Sequence, residues 1–328
     1  MPSSTFRPPS SHFLITGGAG FIGSHLTDRL LAEGARVTVV DDLSTGNQRN
    51  LLDAQRNPHF EFIHAKISDC PKLESLVANA DQIIHLAAAV GVDLVVREPV
   101  RTLETNLHET EVLLKAAAVR RKPVLLASTS EVYGKSSKEV FTEEDDLLIG
   151  PPTHSRWSYA CSKLMDEFLA LAYAKERALP VTITRLFNTV GPRQSGRYGM
   201  VLPRFVQAAL NDEPLRIFGD GQQSRCFCSV HDCVEALLRL ARTPAANGQI
   251  FNIGNTSEIT IANLARLVIS TLNSKSALEF VPYSEAYEPG FEDMRRRKPS
   301  VEKLHQITSF RPQTTLPEII RQIAAGSS

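Results

Sequence analysis

The pair of side chains best suited to moving a proton in this sequence is Tyr159 and Lys163, in the run Arg156-Trp-Ser-Tyr159-Ala-Cys-Ser-Lys163. Four residues is close to one helical turn, so a helix puts both on one face. An isolated phenol titrates near pH ~10. An ammonium held beside it favours the phenolate and lowers that value, which makes the oxygen a base for an alcohol near neutrality. The spacing alone describes an amphipathic helix with an exposed lysine equally well, so the reading depends on what the rest of the chain supplies.

An alcohol that loses its proton to a phenolate is oxidised only if something takes the hydride. The run Thr16-Gly17-Gly18-Ala19-Gly20-Phe21-Ile22-Gly23 follows an apolar stretch, Phe13 to Thr16, and opens an amphipathic one, Ser24 to Glu33. Gly18, Gly20 and Gly23 fit G-x-G-x-x-G. Glycines there let the backbone turn tightly and approach a pyrophosphate at a helix N-terminus, where free N–H groups favour negative charge. Asp41 closes the next apolar stretch, Val37 to Val40. A carboxylate at that point accepts hydrogen bonds from ribose hydroxyls and repels a 2′-phosphate, so the expected cofactor is NAD rather than NADP.

The elements that must position these groups alternate. Phe13–Thr16, Arg36–Val40, Phe60–His64, Gln82–Leu86, Val124–Ser128 and Val181–Arg185 read as strands, with helical stretches such as Leu103–Val119 and Ser158–Arg177 between them. That rhythm predicts an α/β fold, a Rossmann-type doubly wound parallel sheet. After about Asn188 the rhythm loosens into Gly- and Pro-rich loops, with helices over Val201–Asn211, Asp232–Arg242 and Ile261–Thr271 and a returning strand over Pro214–Gly219. The expected division is an NAD-binding domain over 1–187 and a smaller substrate-binding α/β lobe over 188–328, with the chain crossing between the two.

Composition narrows the functional classes. The 328 residues carry 36 basic and 36 acidic side chains. Zero net charge, with no basic tract longer than Arg295-Arg296-Arg297-Lys298, argues against a nucleic-acid surface. No stretch approaches the ~20 apolar residues of a membrane span, and the Pro- and Ser-rich start lacks a signal peptide's apolar core, so the expected location is cytoplasmic. Five cysteines fit reduced thiols better than a disulfide framework. Cys226, Cys228, His231 and Cys233 lie close in sequence but lack zinc spacing, and no metal is expected.

With these motifs in place, the chain from Phe13 to Ile320 resembles the extended short-chain dehydrogenase/reductase family, within it the NAD-dependent nucleotide-sugar epimerases, dehydratases and decarboxylases, and most of all the UDP-glucuronate decarboxylases. The blocks that carry the resemblance are the glycine loop, Asp41-Asp42-Leu-Ser-Thr-Gly46, His85-Leu-Ala-Ala, Ser128-Thr-Ser-Glu-Val-Tyr-Gly134, Tyr159 with Lys163, and Asn188-Thr-Val-Gly-Pro-Arg193. The third strand departs from it, with Ala65-Lys66-Ile67-Ser68-Asp69 where the family usually has an acid near the adenine. The resemblance implies NAD contacts from Gly17, Gly20, Phe21, Ile22, Gly23, Asp41, Asp42, Leu86 and Lys163. It also implies that Thr129 or Ser130 shares the sugar O4 with Tyr159, which takes the O4 proton while C4 gives its hydride to NAD+. On the substrate side it implies Arg156, Asn188, Arg225 and Arg297, with Leu202 and Ile217 flanking the base.

One 4-ketone leads to three outcomes: loss of carbon dioxide from a C5 carboxylate, elimination of water across C5 and C6, or reduction from the other face. Glu131 favours the first two, because 4-epimerases similar to this chain usually carry a small or hydroxylic residue there. Arg156-Trp157 and Arg297-Lys298-Pro299 resemble segments of enzymes acting on uronates, and a guanidinium suits a carboxylate. Ala88-Ala-Val-Gly-Val-Asp93 and the Tyr159-Ala-Cys-Ser-Lys163 form differ from the usual UDP-xylose synthases, which keeps 4-epimerisation open. The leading expectation is a UDP-glucuronate decarboxylase. The alternatives are a UDP-sugar 4-epimerase, a 4,6-dehydratase, and a non-catalytic NAD-binding redox sensor. The partner is a nucleotide sugar, UDP-linked, and a homodimer is expected through the helices around Leu103–Val119 and Ser158–Arg177.

Overall fold

The computed structural model describes residues 11–89, 98–194, 200–282 and 296–326; the Arg156 side chain lies outside the described residues. The strands are β1 (His12–Thr16), β2 (Arg36–Asp41), β3 (Phe60–His64), β4 (Gln82–His85), β5 (Val124–Thr129), β6 (Val181–Leu186), β7 (Thr189–Val190), β8 (Leu215–Phe218), β9 (Ser224–Cys226), β10 (Cys228–Ser229), β11 (Gln249–Ile253), β12 (Glu258–Thr260) and β13 (Leu278–Val281). The described helices are α1 (Phe21–Ala32), α2 (Leu73–Asn79), α3 (Pro99–Arg120), α4 (Arg156–Arg177), α5 (Val201–Leu210), α6 (Val230–Ala241), α7 (Ile261–Leu272), α8 (Glu302–Thr308) and α9 (Leu316–Ala325).

Seven strands form one sheet in the order β3-β2-β1-β4-β5-β6-β11, and every neighbouring pair is parallel. Parallel strands need crossovers, and the crossover helices cover both faces, so the central strands are buried on both sides. Alternation along each strand divides the sheet between two cores. Phe13, Ile15, Val37 and Val39 face α1, α6 and α8 through Leu30, Leu237 and Leu304. Leu14, Val40 and Ile83 face α2, α3 and α4 through Val77, Leu113 and Ala170. The strand order reverses between β1 and β4, and an open α/β sheet splays apart at such a switch point, leaving a crevice at the carboxyl ends of its strands. Thr16 and His85 are register partners at that edge.

The chain crosses back after residue 188. β11 pairs with β6 at the sheet edge, and α6 and α8 complete the core under α1. A third core belongs to the remainder, where α5, α7 and α9 pack around Leu202, Phe205, Ile217, Leu264 and Ile320. Its small sheets pair β8 with β13 and β9 with β12. Among the described residues no helix is long and apolar enough to cross a membrane.

Candidate active site

The glycine loop is shaped by its neighbours. Gly17 takes a positive φ of 74°, and a Cβ there would meet the Ala87 backbone nitrogen at 2.6 Å. A Cβ on Gly23 would sit 2.3 Å from the Gly17 carbonyl oxygen, so α1 can lie this close to the loop only through glycine. Asp41 clamps the loop, accepting from the Ala19 N–H at 2.8 Å and the Leu43 N–H at 2.8 Å. Burial raises the Asp41 carboxyl above its ordinary value, and these two N–H groups offset part of the effect. The N-cap of α1, Gly20, offers no side-chain cap, and the first turn carries no acid. Its leading N–H groups and dipole are therefore left for a negative group. Beside it a cavity of about 530 Å³ is lined by Asp42, Ser44, Thr45, Lys66, Ala89 and Thr105 among others. This cradle fits a dinucleotide: pyrophosphate at the α1 N-terminus, ribose by the carboxylates at the end of β2. Lys66 lines the cavity, whereas Asp69 is exposed and does not.

At the C-terminal end of β5 the chain turns through a single 3-10 turn, Ser130–Tyr133. Thr129 caps it by accepting from the Glu131 N–H at 3.2 Å, and its hydroxyl lies beside the Tyr159 phenol. Lys163, one turn further along α4, is almost fully buried and pairs with Asp166 at 2.8 Å. The lowered phenol expected from Lys163 is not found. Burial first, then the Glu131 carboxylate and Asp166, hold Tyr159 above its ordinary value, and the Thr129 hydroxyl offsets part of this. Desolvation penalises the phenolate, and the nearby ammonium is already committed to a carboxylate.

The third constituent comes from the far end of the chain. Arg297 Nη1 forms an ion pair with Glu131 Oε1, although 166 residues separate them. The segment carrying Arg297 is held by a short parallel bridge: Phe141 N–H donates to Lys298 O at 2.8 Å, and Ser300 N–H donates to Phe141 O at 2.8 Å. Phe141 stacks on Tyr133 at 4.7 Å between ring centroids. Below them Glu167 takes both Arg185 Nε and Nη2 and the Ser128 hydroxyl. Arg185 lies over the Tyr133 ring at 4.9 Å, and Tyr133 donates to Asn252 at 2.8 Å. The turn bearing Thr129 and Glu131 and the segment bearing Arg297 thus rest on one buried polar network.

A family model for the NAD-dependent epimerase/dehydratase family matches residues 13–254. The chain belongs to that family. A UDP-N-acetyl-alpha-D-glucosaminuronate decarboxylase of Bacillus cytotoxicus is 41% identical to it over 310 residues, 94% of this chain and 95% of the relative. A UDP-glucuronic acid decarboxylase 1 of Danio rerio is 36% identical over 93% of this chain and 70% of the relative. Among solved structures, a UDP-glucuronic acid 4-epimerase from Bacillus cereus, in complex with UDP-glucuronic acid and NAD, superposes with a TM-score of 0.86 at 26% identity, covering 96% and 98% of the two chains. As a member of the NAD-dependent epimerase/dehydratase family the protein is an enzyme, and the glycine cradle gives its cofactor NAD a place. The family's Rossmann-type fold is the one observed.

Other expected site residues of this family member have mixed placements. Gly17, Gly20, Gly23, Phe21 and Ile22 form the loop and first turn of α1, and Leu86 follows β4 with its N–H on Thr16 O at 3.0 Å. Of the two hydroxyls after Ser128, Thr129 is the one that meets Tyr159; Ser130 is buried. Asn188 donates to Cys226 O at 3.2 Å, which sets it beside Arg225 on β9. Leu202 and Ile217 do not flank a ligand: both are fully buried in the third core, because the amphipathic phase of α5 and of β8 turns them inward. Among the described residues no three His, Cys, Asp or Glu side chains converge as a metal site would, and Cys226, Cys228 and Cys233 are buried in the packing. Asp166, Glu167 and Arg185 were not singled out from sequence. Asp166 had a usable signal, three residues beyond Lys163 on the same helical face.

Proposed function

We propose that this enzyme decarboxylates a UDP-linked uronic acid of the glucuronate type. The single observation that carries this is the Glu131–Arg297 ion pair beside Tyr159. Oxidation at C4 and re-reduction need only the phenol, its hydroxyl partner and the cofactor. A carboxylate and a guanidinium held together next to them supply what C5 requires when a C6 carboxylate is lost. NAD+, when bound, accepts the C4 hydride and later returns it. Tyr159, in its ionised form, takes the O4 proton, and Thr129 steadies the oxygen. The resulting ketone lies β to the C6 carboxylate, so carbon dioxide leaves and its electron pair is held as an enolate. Glu131 and Arg297 orient the ring and manage the proton that arrives at C5, and Tyr159 gives its proton back to O4 as the ketone is reduced. Asn188 and Arg225 meet the diphosphate. The curated relatives named as decarboxylases act on uronates with and without a 2-acetamido group, and both are candidate substrates.

A second reading, 4-epimerisation of the same UDP-sugars, is favoured by the Bacillus cereus neighbour. Incubation with NAD+ and either UDP-glucuronate or its 2-acetamido analogue separates the two. Released carbon dioxide with a UDP-pentose product supports decarboxylation; a UDP-galacturonate-type product with no carbon dioxide overturns it. Tyr159→Phe should abolish oxidation while leaving the thermal melt near that of the parent, and near-normal turnover would remove Tyr159 from the reaction. The proposed assembly is a homodimer through α3 and α4, which expose Val119, Met165 and Phe168. Five free thiols fit a reducing compartment such as the cytoplasm.

A further inference from the structure

Behind Tyr159 a run of buried polar side chains crosses four elements. Thr16 at the end of β1 contacts His85 Nδ1 at 2.6 Å, and His85 Nε2 contacts the Thr110 hydroxyl on α3 at 3.1 Å. Thr110 sits beside Asp166 on α4, and Asp166 Oδ2 takes Lys163 Nζ at 2.8 Å. All five residues are at most 2% exposed. Burial, then the Lys163 charge, push the His85 imidazole down to about 3, so His85 is neutral and adds no charge. Thr110 hydrogen-bonds His85 and also faces Asp166, whose Oδ1 has no well-formed partner among the described residues. A fully buried carboxylate with one oxygen unsatisfied is costly to keep unless its charge serves a purpose.

We infer that Asp166 is a positioning residue for sugar oxidation: it anchors the Lys163 ammonium and cancels that charge as seen from Tyr159, so the carboxylate rather than the lysine alone sets when the phenol works. This rests on the reading of Tyr159 as the C4 base. The charged groups facing the phenol are Glu131 from the turn after β5, with Arg297 from the C-terminal segment neutralising it, and Lys163 and Asp166 from α4. From β4 comes the neutral His85. Elsewhere on the packed elements, Glu109 of α3 is taken up by Ser68, and Arg185 of β6 by Glu167. Removing the Asp166 charge leaves the Lys163 ammonium, one helical turn from Tyr159, without its anion, and an opposite charge within about 4–6 Å lowers a phenol by roughly 1–3 pH units.

The test compares Asp166→Asn and Asp166→Glu with the parent in two readouts: the pH profile of NADH formation from the bound sugar, and the Tyr159 phenolate absorbance isolated against matched Tyr159→Phe proteins. Asp166→Asn should move the acid limb and the phenolate signal down by about one pH unit, roughly tenfold in rate on that limb; Asp166→Glu should restore both. Unshifted curves in Asp166→Asn, or an equal shift in Asp166→Glu, overturn the inference. If Asp166→Asn does not fold, Asp166→Asn/Lys163→Gln removes both charges, a change buried pairs tolerate better. The phenolate should then appear where the parent has it, and a rise of about one unit or more would show that Lys163 acted uncancelled. Normal oxidation in Tyr159→Phe would instead sink the proposed reaction itself.

Discussion

Replacing Glu131 with Gln separates the two halves of the proposed reaction. The amide is nearly isosteric, so the Thr129 cap on the Glu131 N–H survives, and what is lost is one charge. Arg297 then keeps a buried guanidinium without its anion, and its Nε already has no partner among the described residues. The side chains of Arg297 and Glu131 are 9% and 22% exposed, so the pair is buried but near a rim. A charged hydrogen bond in such a place is worth about 2 kcal/mol, less than the roughly 3–5 kcal/mol for breaking a fully buried pair. Proton handling at C5 should suffer more, by about 10²-fold, the lower range for general acid–base help. The C4 oxidation should move the other way. Glu131 raises the Tyr159 phenol, so its removal lowers that value and extends oxidation to lower pH. Rapid-quench experiments with UDP-glucuronate should therefore show NADH forming at or above the parent rate while the UDP-pentose falls, so that reduced cofactor accumulates. A parallel fall of NADH and product, or an unaffected full cycle, would refute the assignment of Glu131 to C5.

Three further outcomes are expected. Gly23→Ala should lose NAD binding by titration calorimetry, since its Cβ would lie 2.3 Å from the Gly17 carbonyl, and a parent-like affinity would count against the cradle. Glu167→Gln should cost about 3 kcal/mol in denaturant melts, because it strips the anion from Arg185 where both side chains are 3% exposed; an unchanged midpoint would show that the network contributes little. Phe168→Asp places a charge on an apolar, 63% exposed position of α4; if the proposed assembly holds, light scattering should report a dimer for the parent and a monomer for the variant.

The glycine loop, Asp41, Tyr159 and Lys163 were legible because each depends on local spacing: a strand, a tight turn, a helix start, one helical turn. The first six strands were legible for the same reason, with ends within a residue or two of those observed. β11 was not, because five residues of ordinary composition become a sheet edge only through pairing with β6, a partner more than sixty residues away. Leu202 and Ile217 were misread because an apolar residue in a loosely patterned lobe looks the same whether it lines a ligand or fills a core. The sign of the Tyr159 shift also escaped the sequence. It depends on burial first and then on the Glu131 and Asp166 carboxylates, and a four-residue motif reports none of them.

The bridge between Phe141 and Pro299 also has a consequence for how the protein is made. A growing chain that has reached Ile253 already holds every strand of the main sheet, with Tyr159, Lys163, Thr129 and Glu131 in place. Arg297 has not yet been synthesised. Chains are made from the N-terminus, so the residues proposed to make the ketone are synthesised before the one proposed to manage its fate. Until the last stretch docks along Phe141, Glu131 lacks its guanidinium and the backbone of Phe141 lacks its partner. In the proposed reaction, product choice therefore waits on the last-made stretch, the one that leads into α8 and completes the core under α1.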